Sequence, residues 1–307
     1  MPIIDGHNLV KTFGKVRALD GAELVVERGQ VHGFLGPNGA GKSTTIRAIL
    51  GQLTLDSGRL TVFDLDPRRD AVEIHANLAY VPGDVVLWPN LTGGECLDLL
   101  AGFHRRDGRS SENRERRDQL VKAFDLDLTK KARTYSKGNR QKVALVSALS
   151  MDVDLYIFDE PTSGLDPIME QTFQRAIHDR VAEGATVLLS SHVLDEVEAL
   201  CSHVTILREG KTVSSGLLED LRQSTTTTIL ATFEDRQVAQ AVVSDVTSRG
   251  ATAEQVDDES GAHVTIKVGR SSLNDVTARV ANQHPLSLVV RPPSLDELFL
   301  EHYRVDA

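Results

Sequence analysis

Over positions 3–35 the apolar residues come in short alternating runs, "HNLVKTF" and then "GAELVVERGQVHGFLG", rich in β-branched side chains. That pattern predicts strands joined by turns. A helix follows from Ser43 to Leu50, closed by Gly51, and "GRLTVF" reads as another strand. Between Leu91 and Lys131 the period becomes helical, with apolar positions at Leu97, Leu99, Leu100, Leu120, Val121 and Phe124. Inside it, "HRRDGRSSENRERRD" mixes both signs and reads as a solvated helix face or loop rather than a binding patch. From 142 onward helix and strand alternate through "VALVSAL", "DLYIFDE", "MEQTFQRAIHD", "ATVLLSS", "LDEVEALC" and "HVTILREG". Apolar strands alternating with helices predict a mostly parallel sheet covered on both faces.

The polar run "QSTTTT" at 223–228 marks a change of unit. Beyond it lie the strand "TILATF" and a helix with Val238, Val242 and Val246 at one-turn spacing, stopped by Gly250. Then come "ATAEQVD", "AHVTIKV", a helix from Ser272 with Leu273, Val276 and Val280, and the strand "LSLVVR". The order is βαββαβ, the ferredoxin-like pattern. A last helix is expected in "SLDELFLEHY", where Ser294 and Glu297 form a capping box. Two domains are expected: 1–222, with a helical insert at about 88–150, and a small α+β appendage over 223–307.

Composition narrows the function classes. The 307 residues suffice for one large core and a smaller one, with 40% apolar and 25% charged residues. The formal net charge of −10 argues against a nucleic-acid partner. No apolar run approaches the ~18 residues that span a bilayer. "MPIIDGHNLV" lacks the basic and apolar regions of a secretory signal. Cys96 and Cys201 match no zinc spacing and read as buried thiols in a reducing cytoplasm. The expectation is a cytosolic protein.

"GPNGAGKST" at 36–44 follows a strand and opens a helix, the context that gives G-x-x-x-x-G-K-[ST] its meaning. Gly36, Gly39 and Gly41 let backbone N–H groups converge on phosphates, Lys42 reaches the β- and γ-phosphates, and the Ser43 hydroxyl ligates Mg²⁺. "DLYIFDEP" ends a buried strand on Asp159, suited to the metal, and Glu160, placed to polarise an attacking water. "TVLLSSH" ends another strand on His192, where a side chain could sense the γ-phosphate. A second stretch, "TYSKGNRQKV" at 134–143, sets Ser136 and Gly138 at the start of a helix, the layout of an anion site.

Together these pieces resemble an ATP-binding cassette (ABC) ATPase over roughly residues 3–220. Seven family motifs map in order onto Phe13, 36–44, Tyr80–Asp84, 135–141, 155–160, "SGLD" at 163–166 and His192, and six of the seven match well. The resemblance implies a P-loop NTPase of ABC type: a mostly parallel core sheet, an antiparallel β subdomain and a helical insert, with the ferredoxin-like α+β domain following. It implies that Phe13 stacks on adenine and that Gly36, Pro37, Asn38, Gly39, Ala40, Gly41, Lys42, Ser43 and Thr44 hold the phosphates of ATP. "YSKGNRQ" is similar to the family's L-S-G-G-Q, with Lys137 and Asn139 substituted. Two cassettes then pack head to tail. Ser136, Gly138, Asn139 and Asp166 face the partner chain's ATP, so each nucleotide lies between two chains. Glu160, His192 and Lys42 carry the hydrolysis.

The resemblance further implies a separately encoded multi-span permease, a second ATPase subunit and a place at the cytoplasmic face of the membrane. "YVPGD...LTGGE", the "YSKG" signature and "RPPSLDELFLEHY" look most like actinobacterial drug and antibiotic exporters, which move hydrophobic compounds outward. The exported molecule would sit on the permease, not on this chain. One motif departs: where the family has Gln after Y-x-P, this chain has Gly83 followed by Asp84. Asp84 is read either as a Mg²⁺ or coupling residue, or as a helix-subdomain cap or surface acid. The competing functions are a soluble ABC ATPase acting on ribosome or DNA, and a nucleotide-sensing module without turnover.

Overall fold

The computed structural model describes residues 1–103, 111–223, 226–258 and 261–291, and it divides into two compact units, Met1–Leu217 and Leu218–Ala307. The helix expected in "SLDELFLEHY" and part of "HRRDGRSSENRERRD" lie outside the described residues.

In the first unit, strands β1 (Pro2–Phe13) and β2 (Val16–Glu27) pair antiparallel, and the chain turns through Gly29, at φ +75°, into β3 (Val31–Leu35). Helix α1 (Lys42–Ile49), strand β4 (Ser57–Val62), helix α2 (Ala71–His75) and strand β5 (Leu78–Val81) follow. Then come helices α3 (Gly93–Phe103), α4 (Ser111–Ala123) and α5 (Lys137–Leu149), strand β6 (Leu155–Asp159) and helix α6 (Pro167–Ala182). Strand β7 (Thr186–Ser191), helix α7 (Leu194–Leu200) and strands β8 (His203–Arg208) and β9 (Lys211–Leu217) complete it.

A three-stranded antiparallel sheet runs β2-β1-β4, and a six-stranded sheet runs β5-β6-β7-β3-β8-β9, parallel except for β9. The central strands β3, β6 and β7 are buried at every position, as strands covered on both faces must be. Ile4, Leu9, Leu19 and Leu24 of the small sheet share one apolar core with Phe34, Ile46, Ile157 and Leu188. Parallel register sets Leu35 beside Ser191 and Asp159 beside Ser190, so three strands end level. The loops after them therefore open on one rim, the usual ligand edge of such sheets.

The helical periodicity read over 91–131 covers two helices and stops at Ala123, because Asp125 takes a left-handed φ of +47° and breaks the helix. Thr92 and Glu95 cap α3 reciprocally, the Glu95 carboxylate accepting from Thr92 N at 2.7 Å.

The second unit holds helix α8 (Leu218–Gln223), strand β10 (Thr227–Phe233), helix α9 (Arg236–Thr247), strands β11 (Thr252–Asp258) and β12 (Gly261–Val268), helix α10 (Leu273–Ala281) and strand β13 (Ser287–Arg291). Its antiparallel sheet is ordered β11-β12-β10-β13. Ile229, Phe233, Val264 and Ile266 pack with Val242, Val246, Val276 and Val280 in a core of its own.

Candidate active site

The loop after β3 is shaped by glycines whose missing side chains leave no alternative. A Cβ on Gly36 would lie 2.4 Å from the Leu207 carbonyl oxygen, and one on Gly41, at φ +112°, 2.7 Å from that of Ala18. Ala40 is buried and tied down by Gly210, whose N–H donates to its carbonyl at 2.9 Å; Pro37 is half-buried, and Asn38 and Gly39 are exposed. Lys42 opens α1 with only 5% of its surface exposed, and its Nζ donates to the carbonyls of Gly36 at 2.5 Å and Pro37 at 3.2 Å. Burial pulls the ammonium pKa down, and Glu160 and Asp159 push it back up. A cation so placed favours an anion in the loop's concavity. Thr44 follows, half-buried on the first turn of α1.

Asp159, at the end of β6, is buried. Ser43 Oγ donates to its Oδ2 at 3.1 Å, and Ser190 Oγ donates to its Oδ1 at 2.5 Å. Glu160 leaves the strand at φ +50°, a costly conformation for a residue with a Cβ, and its N–H donates to the Ser190 carbonyl at 2.9 Å. Its Oε1 lies 3.1 Å from His192 Nδ1, and both side chains remain solvent-accessible. Thus Lys42, Ser43, Asp159, Glu160 and His192 converge on one rim. A cleft of about 420 Å³ opens beside Glu160, Ser163, Gly164, His192 and Glu196.

The second loop is built as a helix start. Ser136 Oγ caps α5 by accepting from Asn139 N at 3.2 Å. A Cβ on Gly138 would sit 2.3 Å from the Gly164 carbonyl oxygen, so this helix start and the 163–166 loop touch through backbone. Asp166 caps α6, accepting from Ile168 N at 3.1 Å and Met169 N at 3.0 Å.

Comparison with known proteins decides the family. The family described as "ABC transporter" matches residues 19–163. A daunorubicin resistance ATP-binding protein of Streptomyces coeruleorubidus is 31% identical, spanning 97% of this chain and 94% of its own. The linearmycin resistance ATP-binding protein of Bacillus subtilis is 32% identical, spanning 97% of both. This chain is an ABC transporter ATP-binding protein. A solved ATP-binding subunit of an ABC transporter, 32% identical, superposes on the cassette with a TM-score of 0.68 over 72% of this chain and 92% of its own. The solved dimeric MJ0796 cassette, 25% identical, gives 0.62 over 70% and 98%. The fold of residues 1–217 is therefore the ABC ATPase cassette, and its activity class is ATP hydrolysis.

Phe13, Ser136, Asn139, Asp166 and Asp84 lie apart from the convergent group, and no hydrogen bond or ion pair among the described residues joins them to it. Phe13 ends β1 half-exposed, with Lys11 Nζ 5.5 Å from its ring centroid. Asp84 is exposed. Its neighbour Gly83 packs against the backbone at the end of β6, where a Cβ would lie 3.1 Å from the Asp159 carbonyl oxygen. The sequence reading did not single out Ser190 or Glu196, and it named Lys137 and the motif holding Ser163 without giving either residue a role. Ser190 was findable, since parallel pairing of "LYIFD" with "TVLLSS" puts it opposite Asp159. Glu196 accepts from the Thr162 hydroxyl and, at 2.8 Å, from Ser191 Oγ, contacts that no local pattern announces.

Proposed function

We propose that this chain is the ATP-hydrolysing subunit of an exporter. Two copies close over two ATP molecules, and a separate membrane permease moves a hydrophobic drug or antibiotic outward. The observation that carries the reading is the convergence of Lys42, Ser43, Asp159, Glu160 and His192 on one rim. Lys42 and the N–H groups of the 36–44 loop hold the phosphates. Ser43 Oγ and the Asp159 carboxylate, 3.1 Å apart, are hard oxygen donors that fit Mg²⁺, which takes one or two carboxylates plus substrate phosphate oxygens. Held by these two side chains, Mg²⁺ would supply charge neutralisation and orientation for the phosphates. A Glu160 carboxylate oxygen accepts the proton of the attacking water, and His192, 3.1 Å away, keeps that carboxylate turned to the rim.

Ser136, Gly138 and Asn139 cover the partner's nucleotide with the N-terminus of α5, Asp166 sits on the same dimer face, and Phe13 receives adenine. Drug-resistance relatives matched along nearly their whole length support the exporter assignment, and the solved dimeric cassette supports the paired state. For the permease, the cassette offers an apolar groove of about 270 Å³ lined by Tyr80, Val85, Trp88, Leu100 and Phe103, with Val86 84% exposed beside it. No helix among the described residues is long and apolar enough to cross a membrane, which fits attachment at the cytoplasmic face through that groove. The second unit, with its βαββαβ order, is ferredoxin-like and serves regulation or dimer stability. Co-expression with a candidate multi-span permease tests the assignment. This chain should enter the membrane fraction only with that partner, and Val86→Asp with Trp88→Asp should release it. Identical fractionation with and without the partner contradicts it and favours a soluble ABC ATPase.

A further inference from the structure

Lys137 puts a long cation at the first residue of α5, directly after the Ser136 cap. Its Nζ donates to Ser163 Oγ at 2.7 Å. Its Cγ and Cδ lie 3.6 Å from where a Cβ on Gly164 would stand, and Gly164, at φ +89°, has none. Next along the chain, Gly138 lies against the Gly164 carbonyl. Ser163 in turn donates its N–H to the Glu160 carbonyl at 3.3 Å, and the Glu160 carboxylate faces His192. A continuous path therefore runs from the start of α5, through Lys137 and Ser163, to the hydrolytic carboxylate of the same chain.

The Lys137 bond is charge-assisted but solvent-exposed, and the rotamer freedom lost in ordering the lysine side chain offsets part of what it contributes to stability. What the bond does is fix the 163–166 loop against the signature helix. Glu160 sits in a sparsely populated backbone region, so the loop that holds its carbonyl also sets where its carboxylate points.

We propose that Lys137 is a positioning residue linking the two nucleotide sites of the dimer. When the partner chain's nucleotide docks on Ser136 and Gly138, the Lys137–Ser163 bond carries that docking to Glu160 in the chain's own site. Hydrolysis at one site then depends on occupancy of the other. The inference rests on the shared-site reading above, and it assigns a role to the residue that replaces a glycine of the family signature. Couplings between sites typically amount to roughly 5–150-fold, and an effect near tenfold is expected here.

The test uses the full chain and four variants: Lys137→Met, which keeps the stem and loses the donor, Lys137→Arg, Ser163→Ala, and the Lys137→Met/Ser163→Ala double. Steady-state ATPase is measured against ATP concentration, and the Kd of a fluorescent ATP analogue is measured on dilute monomer. Lys137→Met and Ser163→Ala should each lower kcat about tenfold and reduce the steepness of the ATP dependence, with monomer Kd within about twofold of the parent. The double variant should be no worse than either single, because both remove one interaction. Lys137→Arg should keep most of the activity. Parental kcat and steepness in Lys137→Met overturn the proposal, as do losses that multiply in the double variant. Ser136→Arg separates the two readings. If it leaves ATPase intact, the shared site itself fails; if it abolishes ATPase while Lys137→Met is silent, only this inference fails.

Discussion

Lys42 holds its charge where little water reaches it, against two carbonyl oxygens of its own loop. On the proposed reading that charge attracts the β- and γ-phosphates, so Lys42→Ala should weaken ATP binding at least about tenfold. Unchanged affinity by calorimetry would refute the placement of the phosphates. Glu160→Gln keeps shape but cannot accept the water's proton; kcat should fall by about 10²–10⁴, the usual contribution of a general base, with ATP affinity retained. Gly138→Ala should also abolish turnover, since its methyl would stand 2.3 Å from the Gly164 carbonyl oxygen and pry the two loops apart. ATPase near the parental level in that variant would show the loops separate freely. At this scale the sequence spoke through residue types whose chemistry has few other uses: a lysine after a glycine loop, and paired acids ending an apolar strand. It said less about Asp166, whose carboxylate caps α6, and about Asp84, because exposure and capping depend on where the backbone turns.

Strands carry the rim, and a polar line crosses three of them. His32 on β3 is 2% exposed, takes a hydrogen bond from Gln30, and pairs with Thr205 on β8, which reaches Ser215 on β9. Burial, with His203 stacked nearby, pushes its pKa from 6.5 down to about 3. The unfolded chain therefore binds a proton that the fold refuses, and stability falls as pH drops from about 6.5 toward 3. By pH 5 the loss is roughly 2 kcal/mol. His32→Asn should shrink the stability difference between pH 7 and pH 5 by about that amount in urea unfolding. An unchanged difference would mean His32 is protonated in the fold. Strands β3, β6 and β7 were legible as apolar runs because both faces are covered. Strands β5 and β9 were not. "LAYV" has four residues, too few to show a period, and "KTVSSGL" is polar because the sheet edge leaves it half-exposed.

The whole chain is two units, each with its own core. Every nucleotide motif lies in the first, so a chain ending at Gln223 should bind ATP as the parent does while dimerisation or regulation changes. Loss of ATP binding on truncation would place the second unit in the cassette's own stability. The compact units divide after Leu217, a few residues before the "QSTTTT" run at which strand alternation restarts in the sequence. Pairing between chains is harder to read, since nothing in one chain's periodicity encodes a surface completed by another copy. On the proposed reading, each ATP is held by Lys42 of one chain and Ser136 of its partner. Light scattering of Glu160→Gln with ATP tests it most directly, with Ser136→Arg added in the same chain. Glu160→Gln should form a dimer carrying two ATP, and the added Ser136→Arg should return it to a monomer that still binds one ATP. A dimer that persists with Ser136→Arg would contradict the account.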